Sequence, residues 1–249
     1  MAISLKRRSE TRSKPDSMTL VEHLTELRRR VLVCAVAFLI AAVVAFIAYN
    51  PILAFLKQPY CQAAPHHCAF YITGPLDGLS LRVKISAYGG LFAASPVLLW
   101  ELWRFITPGL NPKEKKYAVP FIVASIVLFA VGCLVAYETF PHALKFLDSV
   151  GGPSLNQILD PTKYLSLIVL LMTVFGLTFE FPVLLVSLEV AGVLTPKQLS
   201  SWRRWAIVLI VVVAGVVTPS SDPFSMMALA IPLYFFYEAS IVVGKILNR

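Results

Sequence analysis

Charge is what this chain has least of. Only 14% of its 249 residues are Asp, Glu, Lys or Arg, where soluble domains carry about 25%. That shortage excludes an ordinary water-soluble globular domain. Enzyme signatures are missing as well. There is no H-E-x-x-H, no G-x-S-x-G and no Walker A loop, so no metal-dependent, serine-hydrolase or ATP-driven chemistry is recognisable. The sequence therefore implies a non-enzyme with no cofactor and no metal. No internal repeat is visible, which argues against the inverted-repeat transporter folds. No cleavable signal peptide is expected either. The basic start is followed by polar residues, and the first apolar run is long and has no small-residue cleavage site.

What is present is apolar. Hydrophobic residues make up 57% of the chain, and its mean hydropathy is +0.74. Six apolar runs stand out, at about 31–48, 79–99, 118–137, 164–190, 205–217 and 224–243. A helix needs roughly 20 residues to cross a ~30 Å hydrocarbon core. The first four runs suffice. The fifth has 13 residues, about 20 Å of helix, so it is buried among neighbours or sits where the bilayer is thin. The sixth carries Pro232 and should bend. The expected fold is an all-α polytopic membrane protein of six transmembrane helices, the fifth and sixth short.

The basic residues set the orientation. Seventeen of the 22 Lys and Arg fall in segment 1–30, in the loops after the second and fourth runs, and in the C-terminal tail. The positive-inside rule then places both termini in the cytoplasm. Segregation of this charge by loop also argues against a nucleic-acid partner, despite the net charge of +8. Residues 1–16 read as a disordered basic tail, 17–243 as one six-helix domain and 244–249 as a cytoplasmic tail. Within the domain, 17–30 reads as an amphipathic lead-in helix with Leu20, Leu24, Leu27 and Val31 on one apolar stripe. Thr19 and Glu22 fit a capping box at its start. The long outer loop 49–78, with four prolines, should hold at most a short helix over 52–57. Trp100, Trp103, Trp202 and Trp205 read as an interfacial aromatic belt.

A few polar residues break these patterns. Glu180 lies inside the fourth apolar run, where a carboxylate costs roughly 2.5–3.5 kcal/mol on the mildest insertion scale. It reads either as an acid that handles a proton, ion or passing polar group, or as a structural acid paired to a Ser, Thr or Lys of the bundle. Pro182 frees a backbone carbonyl beside it. Glu22, Glu26 and Glu114 place carboxylates on an otherwise basic inner surface, where a cationic peptide would be repelled without them. Taken singly, each fits a solvated charge or an i,i+4 partner, such as Glu26 to Arg30. Cys61 and Cys68 share the first outer loop. A disulfide, free thiols or a metal site are all open there, although the spacing around His66 and His67 is not a standard zinc pattern. From the residues alone, a proton-coupled small-solute secondary transporter using Glu180 is a rival reading.

Several blocks together resemble the TatC family, the multispanning signal-peptide receptor subunit of the twin-arginine protein translocase. They are Glu22-His-Leu-Thr-Glu-Leu-Arg28, Ser95-Pro96, Trp103-Arg-Phe-Ile-Thr-Pro-Gly-Leu110 with Glu114, Phe175-Gly-Leu-Thr-Phe-Glu-Phe-Pro182, Thr218-Pro219 with Asp222, and Ile231-Pro-Leu with Tyr237-Glu238. They fall in the family's order over about residues 18–243. The resemblance implies a glove-like concave bundle with outer loop caps in the bacterial cytoplasmic membrane. It implies a receptor that binds twin-arginine signal peptides on folded cargo, with export driven by the proton gradient. Glu26 and Glu114 match the inner-face acids that meet the arginines, Arg28 the adjacent basic position, and Glu180 the family's buried acid. Pro59 and Asp222 match functional outer-face positions. The implied partners are TatA-like and TatB-like single-span subunits and further copies of the same chain within the lipid bilayer. Met226 and Met227 depart from the family, standing where some relatives carry a polar docking residue.

Overall fold

The structure is a computed structural model and describes residues 20–63, 70–71, 74–106, 118–151, 160–218 and 222–247. Every element among them is helical. In chain order they are α1 (Leu20–Ile47), α2 (Tyr49–Ala63), α3 (Asp77–Ile106), α4 (Ala118–Gly151), α5 (Pro161–Phe179), α6 (Phe181–Val190), α7 (Pro196–Ser201), α8 (Arg203–Val217) and α9 (Pro223–Leu247). Five stretches are long and apolar enough to cross a membrane: α1, α3, α4, the α5–α6 pair and α9. The short fifth run becomes α8, whose 15 residues give about 22 Å of helix. The sixth becomes α9, which continues through Pro232 for 25 residues. Of the two C-terminal crossings, only α8 is therefore short.

The same start signal recurs at three helices. Asp160-Pro161 opens α5, Thr195-Pro196 opens α7 and Asp222-Pro223 opens α9. A small oxygen-bearing residue satisfies an orphan backbone N–H, and proline at the first helical position has no N–H to satisfy. Asp160 accepts from the Thr162 N–H at 2.8 Å and Asp222 from the Ser225 N–H at 2.8 Å. Thr195 forms a full capping box with Gln198.

The bundle is centred on α5. Of the α5–α6 span 56% is buried, against 6% of the α1 span. One core of buried residues runs from α2 through α9, while α1 packs chiefly on α3. The lead-in segment and the first span form one helix, α1, whose leucine stripe lies on the outside of the protein. Leu24 is 63% exposed and Val31 56%. Glu26 and Arg30 turn instead toward α3. In lipid an apolar stripe gains nothing by burial, whereas polar groups do, so the polar side becomes the packed side. Thr19, the other half of the expected capping box, lies outside the described residues.

The outer loop also holds more helix than its prolines suggest. Helix α2 runs 15 residues through Pro59. Proline has no N–H, so the carbonyl four residues earlier, Phe55, loses its helical donor. Tyr137 of α4 supplies one, its hydroxyl donating to the Phe55 carbonyl at 2.8 Å. One residue on, the Tyr164 hydroxyl of α5 donates to the Leu56 carbonyl at 2.8 Å, and the Tyr60 backbone N–H meets the same hydroxyl. Two tyrosines thus replace the bonds that the proline disrupts and fix the outer helix to the bundle. Tyr164→Phe leaves the Leu56 carbonyl buried without that donor and is expected to destabilise the protein by about 1–3 kcal/mol. Thermal unfolding in detergent checks this, and no change in midpoint would refute it.

Candidate functional site: two groups of carboxylates

Glu180 stands at a joint. Helix α5 ends at Phe179 and α6 starts at Phe181 with Pro182 in its first turn. The expected span over 164–190 remains one crossing stretch but is built of two helices, because Pro182 cannot continue the backbone ladder. Glu180 is 8% exposed. Trp103 Nε1–H of α3 donates to Ser125 Oγ of α4 at 2.6 Å, and the Ser125 hydroxyl donates to Glu180 Oε2 at 2.5 Å. The carboxylate's other oxygen, Oε1, has no hydrogen-bond partner among the described residues. Three helices are thus joined through one hydroxyl. The contact is the Ser pairing of the structural reading, and Oε1 retains capacity for another polar group.

The approach of α4 to α5 makes this possible. Gly132 lies two turns from Ser125, and a Cβ there would meet the Phe175 carbonyl at 2.7 Å. Small residues let helix backbones come close, and closeness brings the serine within reach of the acid. Trp103 was expected in the aromatic belt, but it is 2% exposed and stacks near Phe121 with ring centroids 5.7 Å apart. An indole is placed inside when its N–H finds an acceptor, and Ser125 is that acceptor. Trp100, Trp202 and Trp205 remain exposed.

The second group lies at the inner ends of α1 and α3. Arg30 Nη2 and Nε both donate to Glu26 Oε1, the Nε contact at 3.2 Å. Arg30 Nη1 donates to Glu101 Oε2 at 2.9 Å. The i,i+4 pairing of Glu26 with Arg30 was legible in the spacing. Glu101 was not, because it sits between Trp100 and Leu102 in what reads as the tail of an apolar run. One turn toward the helix end, His23 stacks on Phe105 with ring centroids 4.5 Å apart.

Of the remaining predicted residues, those among the described ones lie apart from both groups. Arg28 is exposed on α1. The Glu22 side chain, Glu114 and Cys68 lie outside the described residues. Cys61 is disulfide-bonded, while Cys34 and Cys133 are free thiols. Pro59 is buried in α2, and Asp222, fully buried, caps α9.

A third acid escaped notice. Glu189 ends the fourth apolar run and is 1% exposed, with neither oxygen hydrogen-bonded among the described residues. Its carboxylate fills the space beside Gly244 of α9, where any Cβ would overlap it. The glycine is the one sequence signal that pointed there.

Comparison with known proteins follows the same lines. The family model described as Sec-independent protein translocase protein (TatC) matches residues 22–232. A Sec-independent protein translocase protein TatC of Frankia casuarinae is 42% identical over 96% of this chain and 69% of its own length. That of Aquifex aeolicus is 39% identical over 93% of this chain and 97% of its own. A solved structure described as twin arginine translocase receptor TatC superposes with a TM-score of 0.74 at 38% identity, covering 92% of this chain and all of that one.

The three-helix hydrogen-bond chain makes a specific demand. Ser125→Ala removes the acceptor of the Trp103 N–H and the donor to Glu180 together. It is expected to cost about 1–3 kcal/mol of stability and to shift Trp103 fluorescence. Spectra against a Trp103→Phe background isolate that signal, and an unshifted spectrum would contradict the arrangement.

Proposed function

The chain belongs to the TatC family of Sec-independent protein translocase proteins, and on that premise we propose that its inner-end carboxylates receive the paired arginines of a signal peptide. It is a multi-pass membrane component of protein translocation, which sets aside the small-solute transporter reading. The observation that carries the proposal is Glu26. It lies half-buried at the inner end of α1 and already holds one guanidinium in a forked contact, on a surface otherwise rich in Lys and Arg.

Arginine suits this chemistry and lysine does not. A guanidinium offers five donors in a rigid plane that match a carboxylate, whereas an ammonium is a compact, strongly hydrated point charge. Glu26 with Glu114, and Glu22 beside them, would read two neighbouring arginines, with Arg28 limiting how many cations gather. The apolar part of the peptide would then lie along the bundle toward Glu180, whose Oε1 stands ready for a polar group. The setting is a bacterial cytoplasmic membrane, the cargo is folded protein, and the drive is the proton gradient. Single-span TatA-like and TatB-like subunits and further copies of this chain are the partners, with Pro59 and Asp222 acting at the outer face. Cys61 and Cys68 are the proposed bonded pair of the outer loop.

The test is photo-crosslinking in inverted membrane vesicles. A twin-arginine signal peptide is expected to crosslink to the wild-type chain, and its twin-lysine version at least tenfold less. Glu26→Ala with Glu114→Ala should abolish crosslinking while the protein still inserts. Undiminished crosslinking in the double variant would defeat the assignment.

A further inference from the structure

If Glu26 receives a peptide's arginine, the structure poses a difficulty, because a guanidinium already occupies it. That guanidinium belongs to the chain itself, in Arg30. Two of its three nitrogens contact Glu26, and only the third reaches Glu101. Both contacts fall on one oxygen, Oε1, so an incoming arginine that grips the carboxylate through both oxygens must displace an internal one of identical chemistry. Were Glu26 the internal arginine's sole partner, displacement would strand a cation among apolar neighbours. The side chains of Arg30 and Glu101 are 14% and 13% exposed, and breaking a buried pair by removing one partner costs several kcal/mol.

Glu101 changes that balance. It lies on α3, opposite the nitrogen that Glu26 does not use, so Arg30 can shift its weight onto Glu101 without leaving the cluster. Within the cluster one cation stands between two anions, with Arg28, Arg29 and Arg104 on the same helix ends, so the cluster alone has one carboxylate more than its guanidinium. The His23–Phe105 stack closes α1 on α3 one turn away, so the two acids are held on neighbouring helices at a fixed separation.

We propose that Arg30 is a built-in competitor for the signal-peptide seat on Glu26 and that Glu101 is a positioning residue that draws Arg30 off that seat. The inference rests on the proposed role of Glu26. It explains why a receptor for arginine carries an arginine in its own site. The internal competitor lowers the affinity of every incoming cation by the same factor, so weak ligands are shed while the preference for arginine stays with the geometry of the carboxylate.

Binding of a fluorescent synthetic twin-arginine signal peptide, and of its twin-lysine version, to the full-length protein in nanodiscs tests this. Glu101→Gln leaves Arg30 on Glu26 alone and should weaken twin-arginine binding about five- to tenfold. Arg30→Gln should keep or tighten twin-arginine binding and change twin-lysine binding by the same factor, leaving their ratio as in wild type. The double variant Glu101→Gln/Arg30→Gln should recover most of the lost affinity, and Glu101→Asp should stay near wild type. A rigid structural brace predicts the opposite. Both single variants would then weaken binding alike and the double variant would be no better, which would overturn the proposal. An unchanged affinity in Glu101→Gln would overturn it too. Glu26→Ala separates the two levels. If binding survives that change, the function reading falls and this inference with it; if it is lost while Glu101→Gln is silent, only this inference falls.

Discussion

Inside a bilayer no water completes a hydrogen bond, so each polar atom at that depth must find its partner within the protein. This rule places the helices here more than apolar contact does, since lipid tails are as greasy as leucine. The outer helix α2 is fixed where Tyr137 and Tyr164 reach the carbonyls around Pro59. Helices α3, α4 and the α5–α6 joint meet where Trp103, Ser125 and Glu180 form one chain. Helix α1 turns its charged side inward to α3 and its leucines outward. These polar interruptions become junctions between helices, whereas Ser166, Thr173 and Thr178 bond back to carbonyls of their own helix.

The runs of apolar residues marked the long helices and their order, because hydrocarbon thickness leaves few alternatives for about twenty apolar residues. Glu180 was legible as a buried acid, since nothing else explains a carboxylate beside Pro182. Its partners were not. Ser125 is one of several serines, and Trp103 looks like any tryptophan near a membrane edge. Partner choice depends on how closely α4 approaches α5, which Gly132 decides across 43 residues of sequence. Glu101 and Glu189 stayed hidden for the same reason. Each terminates a hydrophobic stretch, where a charge reads as the edge of the membrane and not as an inward-facing group.

Under the proposed function, the two carboxylate groups divide the work by depth. At the inner mouth, Glu26 and Glu101 handle guanidinium by shape and charge, in reach of the aqueous phase. Deeper in, Glu180 keeps one oxygen engaged with Ser125 and one uncommitted. A segment arriving from the cytoplasm would meet discrimination before it meets the interior.

The slot at Gly244 bears on how the protein is made. Glu189 leaves the ribosome 55 residues ahead of the glycine that shelters it, a lag of roughly 3–11 s at ordinary synthesis rates. During that interval α6 carries an acid with no finished pocket. The nascent chain must keep that segment at the translocon or the headgroup layer until its final helix arrives. Maturation is thereby tied to completion of the C-terminus, and a polypeptide cut short before α9 would present quality-control proteases with an unsheltered carboxyl group.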